Sequence, residues 1–366
     1  MIALRVLASL TGAVIVGATL MSAVRSFVLP RGDATVLTRA VFLTTRTLFN
    51  ARMRLSRSYE ERDRIMALFA PISLLIVPFV WLVFVGGGYT LVYWGFSRPS
   101  WWHALEDSGS SLFTLGNAPV HGKPAVLLSF TEAGLGLALL ALLISFLPSM
   151  YSAFQRRETN VTLLEVRAGN PPSVLNMMTR YQRIHGLGKL DELWGEWEEW
   201  FADIEESHTT FGAMAFFRSP RSDRSWITAA GAVLDAASFA SSSLQEHSPT
   251  AETCVRAGYV ALRGIADFFG ITYDSDPAPD DPISVSREEF DELWDALAAI
   301  GVPLKPDRDA AWQSFAGWRV NYDEPLVAIA TLVMAPEAPW SSDRGRTFVR
   351  PKLQFRHRRL ARPPHE

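Results

Sequence analysis

From Ile65 to Ser97 the chain carries no charged side chain, and an uncharged run of that length leaves few folds open. A helix needs about 20 apolar residues to cross the hydrocarbon core of a bilayer. Two further runs are of the same kind: Val6–Val24 is uncharged, and Ala125–Phe154 holds one ionisable residue, Glu132, among Leu, Ala and Ile. Of 366 residues 48% are hydrophobic, and the apolar runs all precede Arg156, so three membrane helices are expected there. The first run has a second reading, a secretory signal peptide behind Arg5. Its apolar part is longer than a usual signal core, and Ser22-Ala-Val-Arg-Ser26 lacks a small-x-small cleavage site at an apolar end. A retained helix is therefore expected over 1–29.

Arginine placement sets the orientation, because cytoplasmic loops are enriched in Lys and Arg. Between Arg25 and Arg64 there are nine arginines (25, 31, 39, 46, 52, 54, 57, 62, 64) against four acids, which keeps the segment 30–64 in the cytoplasm. The N-terminus is then outside, Trp101–Lys123 faces the exterior, and Arg156-Arg157 close the third span on the inner side. The single cysteine, Cys254, suits a cytoplasmic placement, since no intrachain disulfide is possible. Ala34–Leu55, apolar with interleaved arginines, reads equally as a helix on the inner membrane face or as one packed on its neighbours. Tyr89, Tyr93, Trp94, Trp101 and Trp102 read as an aromatic belt at the outer interface.

Past residue 158 the pattern is that of a soluble helical domain. Leu193, Trp194, Trp197, Phe201 and Ile204 recur near a 3.6-residue period with acids between them, predicting an amphipathic helix with an acidic face. Ser225–Ser243, rich in Ala and Ser, suits a tightly packed core helix, and Thr250–Phe269 repeats the type. Ser286-x-x-Glu289 before Phe290, Leu293, Trp294 and Leu297 is a capping box, and another helix is expected over Asp309–Trp318. Asp343–Glu366 holds seven Arg and one Lys against two acids. Attraction to anionic lipid, at about 1 kcal/mol per residue, and a solubilising tail are equal readings of it.

Between the second and third runs lies Trp101–Pro119, ending in Ser110-Ser-Leu-Phe-Thr-Leu-Gly-Asn-Ala-Pro119. A short amphipathic helix between two spans, followed by residues suited to a turn, has the outline of a re-entrant pore loop. In such a loop backbone carbonyls replace the hydration shell of a passing cation. Trp101–Phe113 would descend as the pore helix and Thr114-Leu115-Gly116-Asn117-Ala118 would return as extended filter backbone, with Gly116 free to take an unusual dihedral. Glu132 has two readings: a partner for a pore-helix hydroxyl at Ser108, Ser110 or Ser111, or an interfacial residue kept wet by the outer vestibule. Gly134 and Gly136 are a gating hinge or a close-packing site. Glu106 and Asp107 would add negative potential at the mouth.

Ser111-Leu-Phe-Thr-Leu-Gly116 followed by Phe130-Thr-Glu-Ala-Gly-Leu-Gly-Leu-Ala-Leu-Leu140 resembles the two-helix pore module of the potassium-channel superfamily, in its bacterial one-pore-loop branch, over about residues 65 to 157. The resemblance implies Thr114 at the innermost ion site and Gly116 as the first filter glycine. The likeness stops there. Potassium-selective members continue with an aromatic residue and a second glycine, whereas this chain has Asn117-Ala118-Pro119, closer to nonselective cyclic-nucleotide-gated filters. Weak discrimination between potassium and sodium is implied.

Other chemistries find little support. Glu205-x-x-His208 has the spacing of one di-metal ligand pair, but the second pair and two further Glu are missing. His185, His208 and His247 form no zinc spacing, and neither phosphate loop nor nucleophile elbow occurs. Arg218-Ser-Pro-Arg221-Ser-Asp-Arg224 reads as a solvated basic turn. The expected fold is thus an all-α membrane protein with about three transmembrane helices, a re-entrant pore helix and loop, and a helical cytoplasmic domain. Its parts are an N-terminal transmembrane helix (1–29), a basic cytoplasmic juxtamembrane helix or loop (30–64), a pore module (65–157, loop 101–119), a helical cytoplasmic domain (158–342) and a basic tail (343–366). The expected function is a homotetrameric channel for potassium or sodium in the plasma or inner membrane, with no enzymatic activity, catalytic residue, metal site, bound cofactor or nucleic-acid partner. Lipid bilayer is its surrounding, with anionic lipid contacts through the basic loop and tail. The second reading is a non-conducting signalling or interaction protein on the same scaffold.

Overall fold

The computed structural model describes residues 2–27, 35–56, 58–96, 100–118 and 121–347. Pro119 and most of the basic tail lie outside the described residues. The elements are α1 (Ile2–Phe27), α2 (Val36–Met53), α3 (Tyr59–Ala67), α4 (Phe69–Phe96), α5 (Trp101–Leu112), α6 (Lys123–Ala168), α7 (Val174–Arg183), α8 (Leu190–Thr210), α9 (Trp226–Ser243), α10 (Pro249–Phe269), α11 (Arg287–Ala299), α12 (Arg308–Arg319) and α13 (Asp323–Val333). No strand forms among the described residues, apart from one isolated bridge between Leu244 and Leu304. Three helical stretches are long and apolar enough to cross a membrane: Ile2–Ser26, Tyr59–Phe96 and Lys123–Ala168. The chain divides into two compact units, one of Met1–Leu55 with Leu68–Ser152 and the other of Ser56–Ala67 with Ala153–Glu366.

In the first unit α1 lies against α4 through small residues. A Cβ at Gly12 would stand 2.3 Å from the Gly88 carbonyl oxygen, and one at Gly88 would meet Val16 at 2.7 Å. Such close backbone approach is how membrane helices associate where apolar burial gives no driving force. Trp81 Nε1 donates to Ser22 Oγ at 3.3 Å, and Ser22 Oγ lies 2.6 Å from Thr35 Oγ1 at the start of α2. Helix α2 buries Thr38, Val41, Thr45 and Met53, and Phe42 and Phe49 meet Phe69 edge to face; α2 is therefore packed on its neighbours.

The aromatic belt is smaller than the sequence suggests. Tyr89 and Tyr93 are buried, while Trp101 and Trp102 are exposed. Trp81, Val85, Tyr89 and Tyr93 follow at intervals of four, which places them on one face of α4, and that face is the packed one.

In the second unit α9 is the central helix. Every residue from Trp226 to Ser243 is buried, because Ala, Ser and Gly let α7, α10, α12 and α13 approach closely around it. Helix α8 turns Leu193, Trp194, Trp197, Phe201 and Ile204 inward as its periodicity predicts, and Trp200 with them. Ser286 and Glu289 form both halves of the capping box, at 3.2 and 2.9 Å. Ser248 caps α10 ahead of Pro249.

Several cations lie inside this unit. Arg157, expected at a membrane edge, is 1% exposed; it pairs with Glu158 at 2.8 Å and donates to the Met214 and Phe217 carbonyls. The basic turn is spent on protein acceptors as well. Arg218 pairs with Asp63 of α3 at 2.7 Å and donates to the Val333 carbonyl, and Arg221 and Arg224 both reach Glu165.

His208 is fully buried beside Arg157, whose Nη1 lies 3.3 Å from Nε2. Since Arg has no acceptor, Nε2 accepts and Nδ1 carries the proton toward Ser207 Oγ at 3.1 Å. Burial, and then the Arg157 charge, hold the imidazole pKa well below 6.5. The unfolded chain therefore takes up the proton first, and stability present above pH 6.5 is lost as pH falls. The loss is expected at about 1.4 kcal/mol per pH unit below 6.5 while His208 stays neutral. The difference in unfolding free energy between wild type and His208→Gln, followed by Trp fluorescence from pH 7.5 to 5, isolates this contribution from the opposing one of Asp235, whose buried carboxyl is pushed up to about 6. An unchanged slope in that variant would assign the titration to another group.

Candidate functional site

Helix α5 begins where Ser100 caps it, its hydroxyl accepting from Trp102 N at 3.2 Å. Its packed face is Ala104, Asp107, Ser108, Ser111 and Leu112. Apart from Asp107 and Leu112 the side chains there are small or carry a hydroxyl, and the hydroxyls meet polar groups from both flanking helices. Ser108 Oγ donates to Glu132 Oε1 at 2.5 Å and lies 2.9 Å from the Gly86 carbonyl, so it joins α5 to α6 and α4 at one point. Ser111 Oγ lies 3.1 Å from Ser129 Oγ, one helical turn before Glu132. Tyr89 donates to Thr131 Oγ1 at 3.0 Å.

Glu132 is fully buried, which removes the wet interfacial reading. Its surroundings are Ser108, Tyr93 and Asp107. Asp107 is itself buried, whereas Glu106 is exposed and accepts from Trp102 Nε1 at 3.1 Å. Of the two acids expected at a mouth, only Glu106 is at the surface.

The five residues 114–118 follow directly. Helix α5 ends in a Schellman-type cap: Leu115 N donates to the Ser110 carbonyl at 2.8 Å and Thr114 N to Ser111 at 3.1 Å, with Thr114 at φ +53°. Gly116 follows at φ +69°. Ala118 N then donates to Ser110 Oγ at 3.2 Å. In the single chain Thr114–Ala118 thus curls back on the end of α5, where extended backbone is expected from the sequence. Satisfying the last carbonyls of α5 is the physical reason. Thr114, Leu115, Gly116 and Asn117 are all exposed, Leu115 by 66%.

Gly136 is buried, and a Cβ there would stand 2.3 Å from the Leu112 carbonyl oxygen; a Cβ at Gly134 would meet nothing within 4 Å. Gly136 is therefore the point where α6 admits the C-terminal end of α5, and Gly134 is free of such a constraint. Sequence reasoning missed Ser129, Thr131 and Tyr89 as partners. Their signal is hydroxyls on the same faces of two otherwise apolar helices.

Among the described residues no group of three His, Cys, Asp or Glu stands in metal-holding range. Glu205 and His208 do not form a ligand pair, since His208 is engaged by Arg157 and Ser207. Comparison with protein-family models, with curated proteins and with solved structures gives no match to this chain.

Proposed function

We propose that this protein is one subunit of a cation channel in the plasma or inner membrane, with a four-copy ring around residues 114–118. The observation that carries the reading is a short helix between two membrane-length helices, followed by exposed non-helical backbone. At membrane depth such backbone is tolerated only where it lines water or is buried in protein, and one chain provides neither for 114–117. A ring of copies provides both, since one loop cannot enclose an axis. The buried Ser108–Glu132 contact and the close approach at Gly136 then act as the rigid backing of the loop. The N-terminus faces outside and the helical unit lies in the cytoplasm. With Asn117 and Ala118 where selective filters carry an aromatic and a second glycine, potassium and sodium pass with similar ease.

Cation flux into liposomes holding the purified protein tests this. Flux is expected with a small reversal-potential difference between potassium and sodium, and it should fall sharply in Gly116→Ala, which places a side chain at positive φ, and in Thr114→Ala. Absence of flux, flux indifferent to both substitutions, or a monomer in gentle detergent would favour the second reading, a non-conducting scaffold. The curl of Thr114–Ala118 onto α5 is the observation on that side.

A further inference from the structure

In the helical unit a cavity of 290 Å³ opens between the N-terminal turn of α7, the middle of α9, the first turns of α11 and the segment Pro339-Trp340. Part of its wall is apolar, from Val174, Leu293 and Ala232, and Trp340 is its aromatic member. Three carboxylates also line it: Asp235, Glu289 and Glu292. We propose that this cavity binds a small organic cation carrying an ammonium group.

The charges around the cavity do not balance. Arg319 is shared by Asp235 and Asp323, Arg344 by Glu289 and Asp343, and Glu292 carries no ion pair among the described residues. Five carboxylates against two guanidiniums leave three negative charges in excess within the set. Asp235 is 1% exposed, and its Oδ1 takes both Arg319 Nη1 and the Tyr322 hydroxyl. No described residue donates to Oδ2, although Asp235 lines the cavity. Asp235 thus keeps one carboxylate oxygen free to accept from a donor that enters the cavity.

Trp340 supplies the second half of the recognition. It stands at φ +57°, an unusual conformation for a bulky residue. It is held there by Arg319 Nη2, which donates to its carbonyl at 2.5 Å, and by its own N–H, which donates to Asp343 Oδ2 at 3.3 Å. Residues kept in such conformations cluster at ligand clamps and active sites. An indole beside carboxylates in a largely apolar hollow is the chemistry that holds ammonium ions. The size is near the lower end of small-molecule pockets, and an apolar wall suits an organic cation better than a metal ion, which prefers a shell of oxygens.

Binding here does not depend on conduction. Calorimetric titration of the full chain in lipid nanodiscs with choline, with putrescine and with 3,3-dimethyl-1-butanol, the uncharged counterpart of choline, tests it. Choline or putrescine is expected to bind saturably, with the neutral alcohol at least about tenfold weaker. Glu292→Gln, at an exposed position, and Trp340→Leu should each weaken binding by about tenfold. Asp235 is left intact because it also holds Arg319. Circular dichroism confirms that each variant is folded, and a Trp340→Leu variant that does not fold leaves Glu292→Gln to decide. No saturable binding of either cation, equal binding of the neutral alcohol, or affinity unchanged in the folded variants would overturn the proposal.

Discussion

Replacing Arg319 with methionine is expected to cost the helical unit about 3–5 kcal/mol, the effect of removing one partner from a buried ion pair. The guanidinium is completely buried and joins three elements. Nε donates to Asp323 Oδ1 at 2.8 Å, Nη1 to Asp235 of α9, and Nη2 to the Trp340 carbonyl. Methionine fills much of the same space but leaves two buried carboxylates facing each other with no cation. Burial already pushes the Asp235 carboxyl up to about 6, against the pull of Arg319 and Tyr322. At pH 7.5 the variant must therefore hold an unpaired charge or take up a proton. Guanidinium unfolding of the full chain, followed by Trp fluorescence, measures the loss. Arg319→Met combined with Asp235→Asn and Asp323→Asn should recover most of it, since no net charge then remains at the cluster. Equal midpoints for wild type and Arg319→Met would show that the cluster contributes nothing, and a triple variant no better than the single one would assign the loss to packing.

What could be read from the chain follows the range of each signal. Helix α11 announces itself through Ser286 and Glu289, three residues apart, and α8 and α9 through periodicity and small-residue content; these are local patterns. The limits of α5 are equally local, set by Ser100 and by the change of composition after Leu112. Asp235 and Arg319 lie 84 positions apart and Arg157 and His208 lie 51 apart, and no pattern in the chain pairs them before α9 and α12 are packed. Arg156-Arg157 illustrates the same point. The pair looks like a membrane-edge signal, yet only Arg156 is exposed, while carbonyls of a later segment draw Arg157 inside.

At the candidate site, Glu132 and the α5 hydroxyls were legible as partners because a carboxylate within an apolar run has few other acceptable surroundings. Which hydroxyl it meets was not, since Ser108, Ser110 and Ser111 differ only in the face they occupy. The left-handed turn at Thr114 was also hidden. Threonine is β-branched and gives no signal for positive φ; the conformation comes from the hydrogen bonds that close α5.

Gly134 and Gly136 are expected to respond in opposite directions to one added methyl group, and this separates a hinge from a packing contact. In the middle of a helix, Gly→Ala ordinarily stabilises by about 1 kcal/mol through reduced backbone entropy. At Gly134, where a Cβ meets nothing within 4 Å, that gain should appear as a raised Tm of the detergent-solubilised protein with flux retained. At Gly136 the methyl group would lie 2.3 Å from the Leu112 carbonyl oxygen and 3.2 Å from Leu112 Cδ1. A backbone oxygen cannot rotate away, so the end of α5 must move, at a cost of about 1–3 kcal/mol for overpacking. The displaced segment carries Ser110 and Ser111, whose carbonyls close the turn at Thr114. Gly136→Ala is therefore expected to lower Tm and to abolish flux together, and the Tm change stands even where no flux is measurable. Loss of flux in Gly134→Ala with Gly136→Ala unaffected would make Gly134 a hinge. A rise in Tm for both variants would remove the α5–α6 contact from the account of the loop.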